Sequence, residues 1–175
     1  FDFESKINLA DLVKELLKKD GDYRIRIGMI NPWHLLKFFD EMMGVYKDER
    51  VIKFLHITIQ SGSDKVLKEM GRGGKAEDFV KIAKKFRKEF PRDKFPDSTI
   101  ATDIIVGYPT ETDDDFEKTL KMIKEVKPEV LNISSFSSRP RTRASLLKQL
   151  PSEVIKVRTK ELNDVYKKYR KHINS

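Results

Sequence analysis

The 175 residues contain no cysteine. Disulfides, thiolate-held zinc and thiolate-held iron–sulfur clusters are therefore excluded for this chain. Histidine is scarce, and His34, His56 and His172 are scattered, which argues against a transition-metal site. No apolar run approaches the roughly 20 residues that a membrane helix needs. No signal peptide is visible, so a cytoplasmic protein without a membrane partner is expected. No P-loop or dinucleotide glycine fingerprint is present, and no Ser/His/Asp triad is indicated. Phe1 stands where an initiating Met would, so the expectation is a chain that begins inside a longer protein.

What is present is charge. Charged residues make up 37% and hydrophobic ones 38%, with a net charge of +8. That balance suits one globular domain with a real core. The positive excess permits a polyanionic partner such as RNA, or reflects a Lys-rich surface, because acidic residues are interleaved throughout.

Along the chain, apolar periodicity alternates between strand and helix. Asn8 caps a helix, with Asp11 in the capping-box position, and Gly21 ends it. Tyr23 to Met29 alternates like a strand. Asn31-Pro32 opens a helix to about Met43, stopped at Gly44. Val51 to Ile59 reads as the second strand, Lys65 to Met70 as a short helix, and Ala76 to Glu89 as a longer one. Thr99 to Val106 is an apolar strand, and Thr112 caps a helix with Asp113-Asp114-Asp115 in its first turn. Glu129 to Phe136 is the last strand. Pro151-Ser152 starts a final basic helix, the one segment that reads as separable. The prediction is an α/β fold with a parallel sheet of about four strands and alternating helices.

Two stretches carry the organisation. Leu55-His56-Ile57-Thr58-Ile59 runs into the polar tip Gln60-Ser61-Gly62-Ser63, and the strand through Asp103-Ile104-Ile105-Val106 ends at Gly107. Polar tips at the C-terminal ends of parallel strands build ligand sites, although Gly62 and Gly107 can equally serve backbone geometry alone. Asp103 stands in an apolar strand, and an unpaired buried carboxylate costs several kcal/mol. It therefore faces a partner or a cavity. Arg24 and Arg26 share one face of their strand; turned inward they would pair with Asp103 or take a carboxylate or phosphate, turned outward they are edge-strand surface. His56 reads as a hydrogen-bonded core histidine before a catalyst. Arg139-Pro140-Arg141-Thr142-Arg143 is a solvated basic loop that can contact phosphate.

Taken together, these residues resemble a family. Leu55 to Asp64 with Val66-Leu67, Met70 and Arg72 resembles the fourth-strand signature of the radical SAM methylthiotransferases. Thr102 to Thr112, then Asp115-Phe116 and Thr119-Leu120, is similar to their fifth strand and helix. Arg24 to Pro32 is similar to their third strand, and Phe136 to Ala144 to the exit of their sixth. Leu150 to Lys156 resembles the start of the helix leading to their RNA-binding TRAM module. The nearest flavour is the archaeal and eukaryotic branch that modifies threonylcarbamoyladenosine in tRNA.

The resemblance implies part of a (β/α)6 partial TIM barrel. Residues 1–150 would be the C-terminal portion of the radical SAM domain, from its second helix to its sixth strand. Residues 151–175 would be the helix leading toward a missing TRAM domain. The whole enzyme would use S-adenosylmethionine and [4Fe–4S] clusters to add a methylthio group at C2 of N6-threonylcarbamoyladenosine at position 37 of tRNA. This chain holds no cluster ligand, so alone it is expected to be inactive. Carried over by position, Gln60, Ser61, Ser63, Asp103, Ile105, Val106, Gly107 and Arg26 would line the cofactor site. Arg139 and Arg141 would contact substrate; no metal ligand and no catalytic residue is assigned. Two positions depart from the pattern: Thr58 stands where Pro is usual, and Arg141 where Gly is usual. A different radical SAM activity, or a non-catalytic nucleic-acid or protein binding module, stays open. Exposed sheet edges would allow self-association. A Cys-x3-Cys-x2-Cys motif is expected roughly 60–80 residues upstream of Phe1, from ordinary βα unit lengths.

Overall fold

The computed structural model describes residues 7–173. Helix α1 (Leu9–Leu17) begins as the sequence requires: the Asn8 side chain accepts the Asp11 amide at 3.1 Å, and Asp11 accepts the Asn8 amide at 3.1 Å. Then come α2 (Pro32–Leu35), a 3₁₀ turn (Leu36–Phe38) and α3 (Phe39–Tyr46). Strand β1 (Phe54–His56) is followed by α4 (Asp64–Glu69) and α5 (Ala76–Glu89). Strand β2 (Thr99–Val106), α6 (Asp113–Val126), β3 (Val130–Ser135), a second 3₁₀ turn (Arg143–Leu146) and α7 (Ser152–Ile173) complete the order. The sheet runs β1-β2-β3, all parallel, with Leu55 beside Ile100 and Asp103 beside Asn132.

The expected fourth strand, Tyr23–Met29, is not formed, and the sheet has three strands. Only two isolated bridges remain, Ile25 to Val51 and Ile30 to Ile57. The reason lies in the register. Five steps separate Ile25 from Ile30, but six separate Val51 from Ile57, so the second segment carries one extra residue. The Phe54 amide turns back to the Ile52 carbonyl at 2.7 Å and so leaves the ladder.

The helix expected to stop at Gly44 runs through it to Tyr46, after a kink at Phe38 (φ −140°, ψ 33°). Val45 and Tyr46 are both core residues, and their burial outweighs the roughly 1 kcal/mol cost of a helical glycine. Tyr46 packs edge-on to Phe86 and Phe90.

The C-terminal helix is not separable. Leu162 of α7 is fully buried, the Tyr169 hydroxyl donates to the Pro128 carbonyl at 3.1 Å, and Tyr166 donates to that of Glu129 at 3.0 Å. Basic residues make α7 look like a surface appendage, but its buried stripe belongs to the core.

Candidate functional site

Strand β2 sorts its side chains by period two. Ile100, Thr102, Ile104 and Val106 are buried, while Asp103 and Ile105 are half-buried on the opposite, open face. That face also carries Phe54 and His56 from β1 and the exposed Asn132 from β3. Asp103 has found its partners there. Asn132 Nδ2 donates to Asp103 Oδ1 at 2.7 Å, and His56 Nε2 lies 3.3 Å from the carboxylate. The anticipated Arg24/Arg26 pairing with Asp103 does not occur: Arg26 stacks 4.3 Å from the centroid of Phe54, and Arg24 reaches the Glu49 carbonyl at 3.4 Å. His56 is hydrogen-bonded, as its position in the strand suggested.

Arg72, which follows the Gln60 tip by one short helix, is half-buried. Burial pushes its guanidinium below its ordinary value, and the nearby Asp103 carboxylate opposes that. Arg72 is thus a half-buried cation within the field of Asp103.

Gln60 sits at the rim of this face. Its backbone is left-handed, φ 77°, a region that disfavours any non-glycine residue. It is nevertheless stapled there, donating to the Asp103 carbonyl at 2.9 Å and accepting the Ile105 amide at 3.0 Å. The residue is 7% exposed, and among the described residues no buried side-chain nitrogen or oxygen lacks a hydrogen-bond partner.

Ser61 and Ser63 have a different environment. Both are buried and turned toward α6: Ser63 Oγ donates to Asp115 Oδ1 at 2.7 Å, and Ser61 Oγ lies 3.5 Å from Thr119 Oγ1. Lys65 reaches the other Asp115 oxygen at 2.9 Å. Gly62 lies so close to α6 that a Cβ there would come 2.5 Å from the Thr119 Cα. The serines thus seat the rim on the next helix. Gly107, at φ 85°, donates its amide to Glu111 Oε2 at 3.0 Å, and a Cβ on it would meet Ile155 of α7 at 2.6 Å. Its amide is therefore occupied within the protein, and its missing side chain makes room for α7. Val106 is fully buried, and its carbonyl accepts the Phe136 amide at 2.7 Å. Ile105 keeps a half-exposed apolar side chain on the open face.

The loop after β3 lies at the same end of the sheet. Phe136 packs on Tyr108 at 5.2 Å, and Ala144 buries itself beside Tyr108 and Val66. This brings Arg139 and Arg141 near the rim with exposed side chains. Arg141 is left-handed, φ 66°, so the loop keeps the turn that glycine would favour.

Among the described residues no cluster of His, Asp and Glu could hold a metal ion. No helix of the described residues is long and apolar enough to cross a membrane.

Comparison with known proteins agrees with this architecture. The Radical SAM superfamily profile matches residues 2–123. A probable threonylcarbamoyladenosine tRNA methylthiotransferase of Pyrococcus horikoshii is 44% identical over 165 residues, covering 94% of this chain and 38% of that protein. The human threonylcarbamoyladenosine tRNA methylthiotransferase is 43% identical over 145 residues, covering 83% of this chain and 24% of its own length. This chain thus spans well under half the length of the relatives it matches. Among solved structures, the radical SAM enzyme coproporphyrinogen III oxidase (HemN) of Escherichia coli superposes with a TM-score of 0.67 at 20% identity, covering 95% of this chain and 38% of that one. By the match of that profile to most of its length, the chain belongs to the Radical SAM superfamily.

Proposed function

We propose that this chain is the back portion of the radical SAM barrel of a tRNA methylthiotransferase. Its open sheet face would form one wall of the S-adenosylmethionine site. The observation that carries the reading is Gln60, held at the rim in a left-handed conformation by backbone bonds to Asp103 and Ile105. The amide suits the polar groups of a nucleoside, and the half-exposed Ile105 offers apolar surface to a flat heterocycle. Asp103, steadied by His56 and Asn132, would accept hydrogen bonds from the ligand. Ser61 and Ser63 would act by seating the rim on α6, and Val106 and Gly107 by backbone placement. Arg26 and Arg72 would answer a carboxylate. The exposed Arg139 and Arg141 would meet the polyanionic tRNA.

The residues present fit S-adenosylmethionine but not an iron–sulfur cluster, because no thiolate exists in the chain. The cofactor, once cleaved, supplies the radical and methyl chemistry of the family. This chain's own residues bind and orient it. The relatives' names support a threonylcarbamoyladenosine tRNA as substrate. A cytoplasmic location and pairing of copies through the sheet edge belong to the same proposal.

Two preparations test the reading: the full-length protein that contains this sequence and the 175-residue chain alone, each reconstituted anaerobically with iron and sulfide. The full-length protein is expected to gain iron–sulfur absorbance and to convert threonylcarbamoyladenosine in tRNA to its 2-methylthio derivative, read by mass spectrometry of nucleosides. The chain alone should gain no such absorbance. Stoichiometric cluster uptake by the chain overturns the boundaries. Cofactor cleavage without methylthiolated nucleoside overturns the tRNA assignment in favour of another radical SAM reaction.

A further inference from the structure

Helix α7 reaches the rim from outside the site through two side chains one turn apart. Ile155 packs on Gly107 at a distance that admits no Cβ. Arg158 Nη1 donates to Glu111 Oε2 at 2.8 Å and to the Glu111 carbonyl at 3.1 Å, while its Nη2 donates to Asp113 at 2.7 Å. Glu111 Oε2 in turn accepts the Gly107 amide at 3.0 Å. Arg158 and Glu111 are 6% and 3% exposed, so the Arg158–Glu111–Gly107 links are shielded from water, while Asp113 at the outer end is exposed. A buried ion pair of this kind is seldom a net gain in stability over apolar packing, but breaking one partner is costly. It does fix geometry. The bidentate guanidinium allows one orientation of the loop that follows β2.

We propose that Glu111 and Arg158 are positioning residues for the cofactor wall: α7 holds Gly107, and through it Ile105, at the place where the proposed S-adenosyl ligand lies. The inference rests on the functional reading above for the identity of the ligand, but not for the strut itself. Neither residue touches the open face. They act through one backbone amide. α7 is thereby part of the site, although its sequence reads as a basic helix leading elsewhere. Glu111 also differs from the other acids of this loop. Burial lifts its carboxyl, and the Gly107 amide and Arg158 work against that rise. Asp113, whose side chain is almost fully exposed, meets Arg158 only from the solvent side and does not reach the Gly107 amide.

The test uses nitrogen-15-labelled chain and four variants: Arg158→Met, Arg158→Lys, Glu111→Gln and Tyr169→Phe. Tyr169→Phe removes a hydrogen bond from the far end of the same helix, so it lowers melting temperature without touching the strut. Amide hydrogen exchange is read first, without ligand. Gly107 and Ile105 are expected to exchange about tenfold or more faster in Arg158→Met. Arg158→Lys should recover part of that loss, and Tyr169→Phe should leave both amides unchanged relative to the rest of the sheet. Equal Gly107 exchange in wild type and Arg158→Met overturns the strut. S-adenosylhomocysteine is then titrated as the probe. Saturable shifts at Gln60, Ile105 and Gly107 are expected in wild type, with a dissociation constant about tenfold higher in Arg158→Met and in Glu111→Gln. Uptake by Arg158→Met within a factor of about two of wild type overturns the positioning role, since each factor of ten is about 1.4 kcal/mol. If Gly107 loosens as expected but wild type shows no shift with the probe, the strut stands and the cofactor reading of the rim falls.

Discussion

The Thr102 hydroxyl donates to the Ile57 carbonyl at 2.6 Å from the neighbouring strand. It also lies 3.5 Å from the Ile59 amide, so one side chain closes a gap in the ladder. The gap exists because four steps separate His56 from Gln60 while three separate their partners, Ala101 and Ile104. The extra residue is what throws Gln60 into its left-handed conformation and re-aims the rim. Thr102→Val keeps the shape and removes the donor, leaving the Ile57 carbonyl buried without its partner. A loss of about 1–3 kcal/mol is expected in urea unfolding, and Thr102→Ser should recover most of it. A valine variant as stable as wild type would show that the hydroxyl does not hold the bulge.

Gly62 marks the second fixed point of the rim. A Cβ there would come 2.5 Å from the Thr119 Cα and 2.6 Å from the Lys118 carbonyl oxygen, both backbone atoms that no rotamer change can move. Gly62→Ala must push the loop away from α6 and stretch the 2.9 Å bond from the Gly62 amide to Thr119 Oγ1. A loss of about 1–3 kcal/mol is expected. Calorimetry decides: a melting temperature within a degree of wild type would mean that the loop and α6 separate without penalty.

Arg141 is a site where the sequence carries strain that can be removed. Its φ of 66° costs an L-residue about 1–2 kcal/mol, against about 0.5–1 kcal/mol of extra chain entropy for glycine. Arg141→Gly is therefore expected to stabilise by up to about 1 kcal/mol, and Arg141→Val to destabilise. If Arg141 contacts tRNA, the glycine variant of the full-length protein should bind tRNA more weakly while melting higher. A glycine variant that melts lower than wild type is the result that counts against this view.

Much of this was legible in the residues, and the failures have physical causes. The β2 boundaries, the α5 boundaries and the caps at Asn8 and Thr112 follow from local rules that no tertiary contact overrides. The partners of Asp103 were not legible, because His56 and Asn132 are distant in sequence and meet it only across a parallel register. The lost strand at Tyr23–Met29 was invisible for the same reason: an alternating pattern is compatible with pairing, but a one-residue excess in the neighbouring segment is not. Ser61 and Ser63 looked like ligand groups because polar side chains at a strand tip are equally apt to cap, and here they bind the next helix. Glu111 and Arg158 were missed altogether. Charged residues at a helix start and on a basic helix are ordinarily solvated, and their burial depends on α7 returning to the sheet.

Asp115 is a carboxylate whose protonation weakens the fold in acid. Burial alone would raise its carboxyl, but hydrogen bonds from Ser63, Lys65 and Thr112 outweigh it and hold the carboxyl well below the usual range. A carboxyl depressed in the folded state contributes stability that is fully present above its unfolded value, about 3.9, and is lost as pH falls through the folded value. Stability should therefore decline by about 1.4 kcal/mol for each pH unit below about 4 on account of this one group. Glu111 works in the opposite direction, since burial lifts its carboxyl and protonation as pH falls favours the folded chain. Asp115→Asn separates the two. At pH 7 it should cost about 2 kcal/mol or more through the lost charge-assisted bonds, and the gap to wild type should narrow steadily below pH about 4. Urea unfolding between neutral and strongly acidic pH reads this directly. A gap that stays constant across that range would place the acid sensitivity elsewhere and leave the Ser63–Asp115 contact as a neutral hydrogen bond.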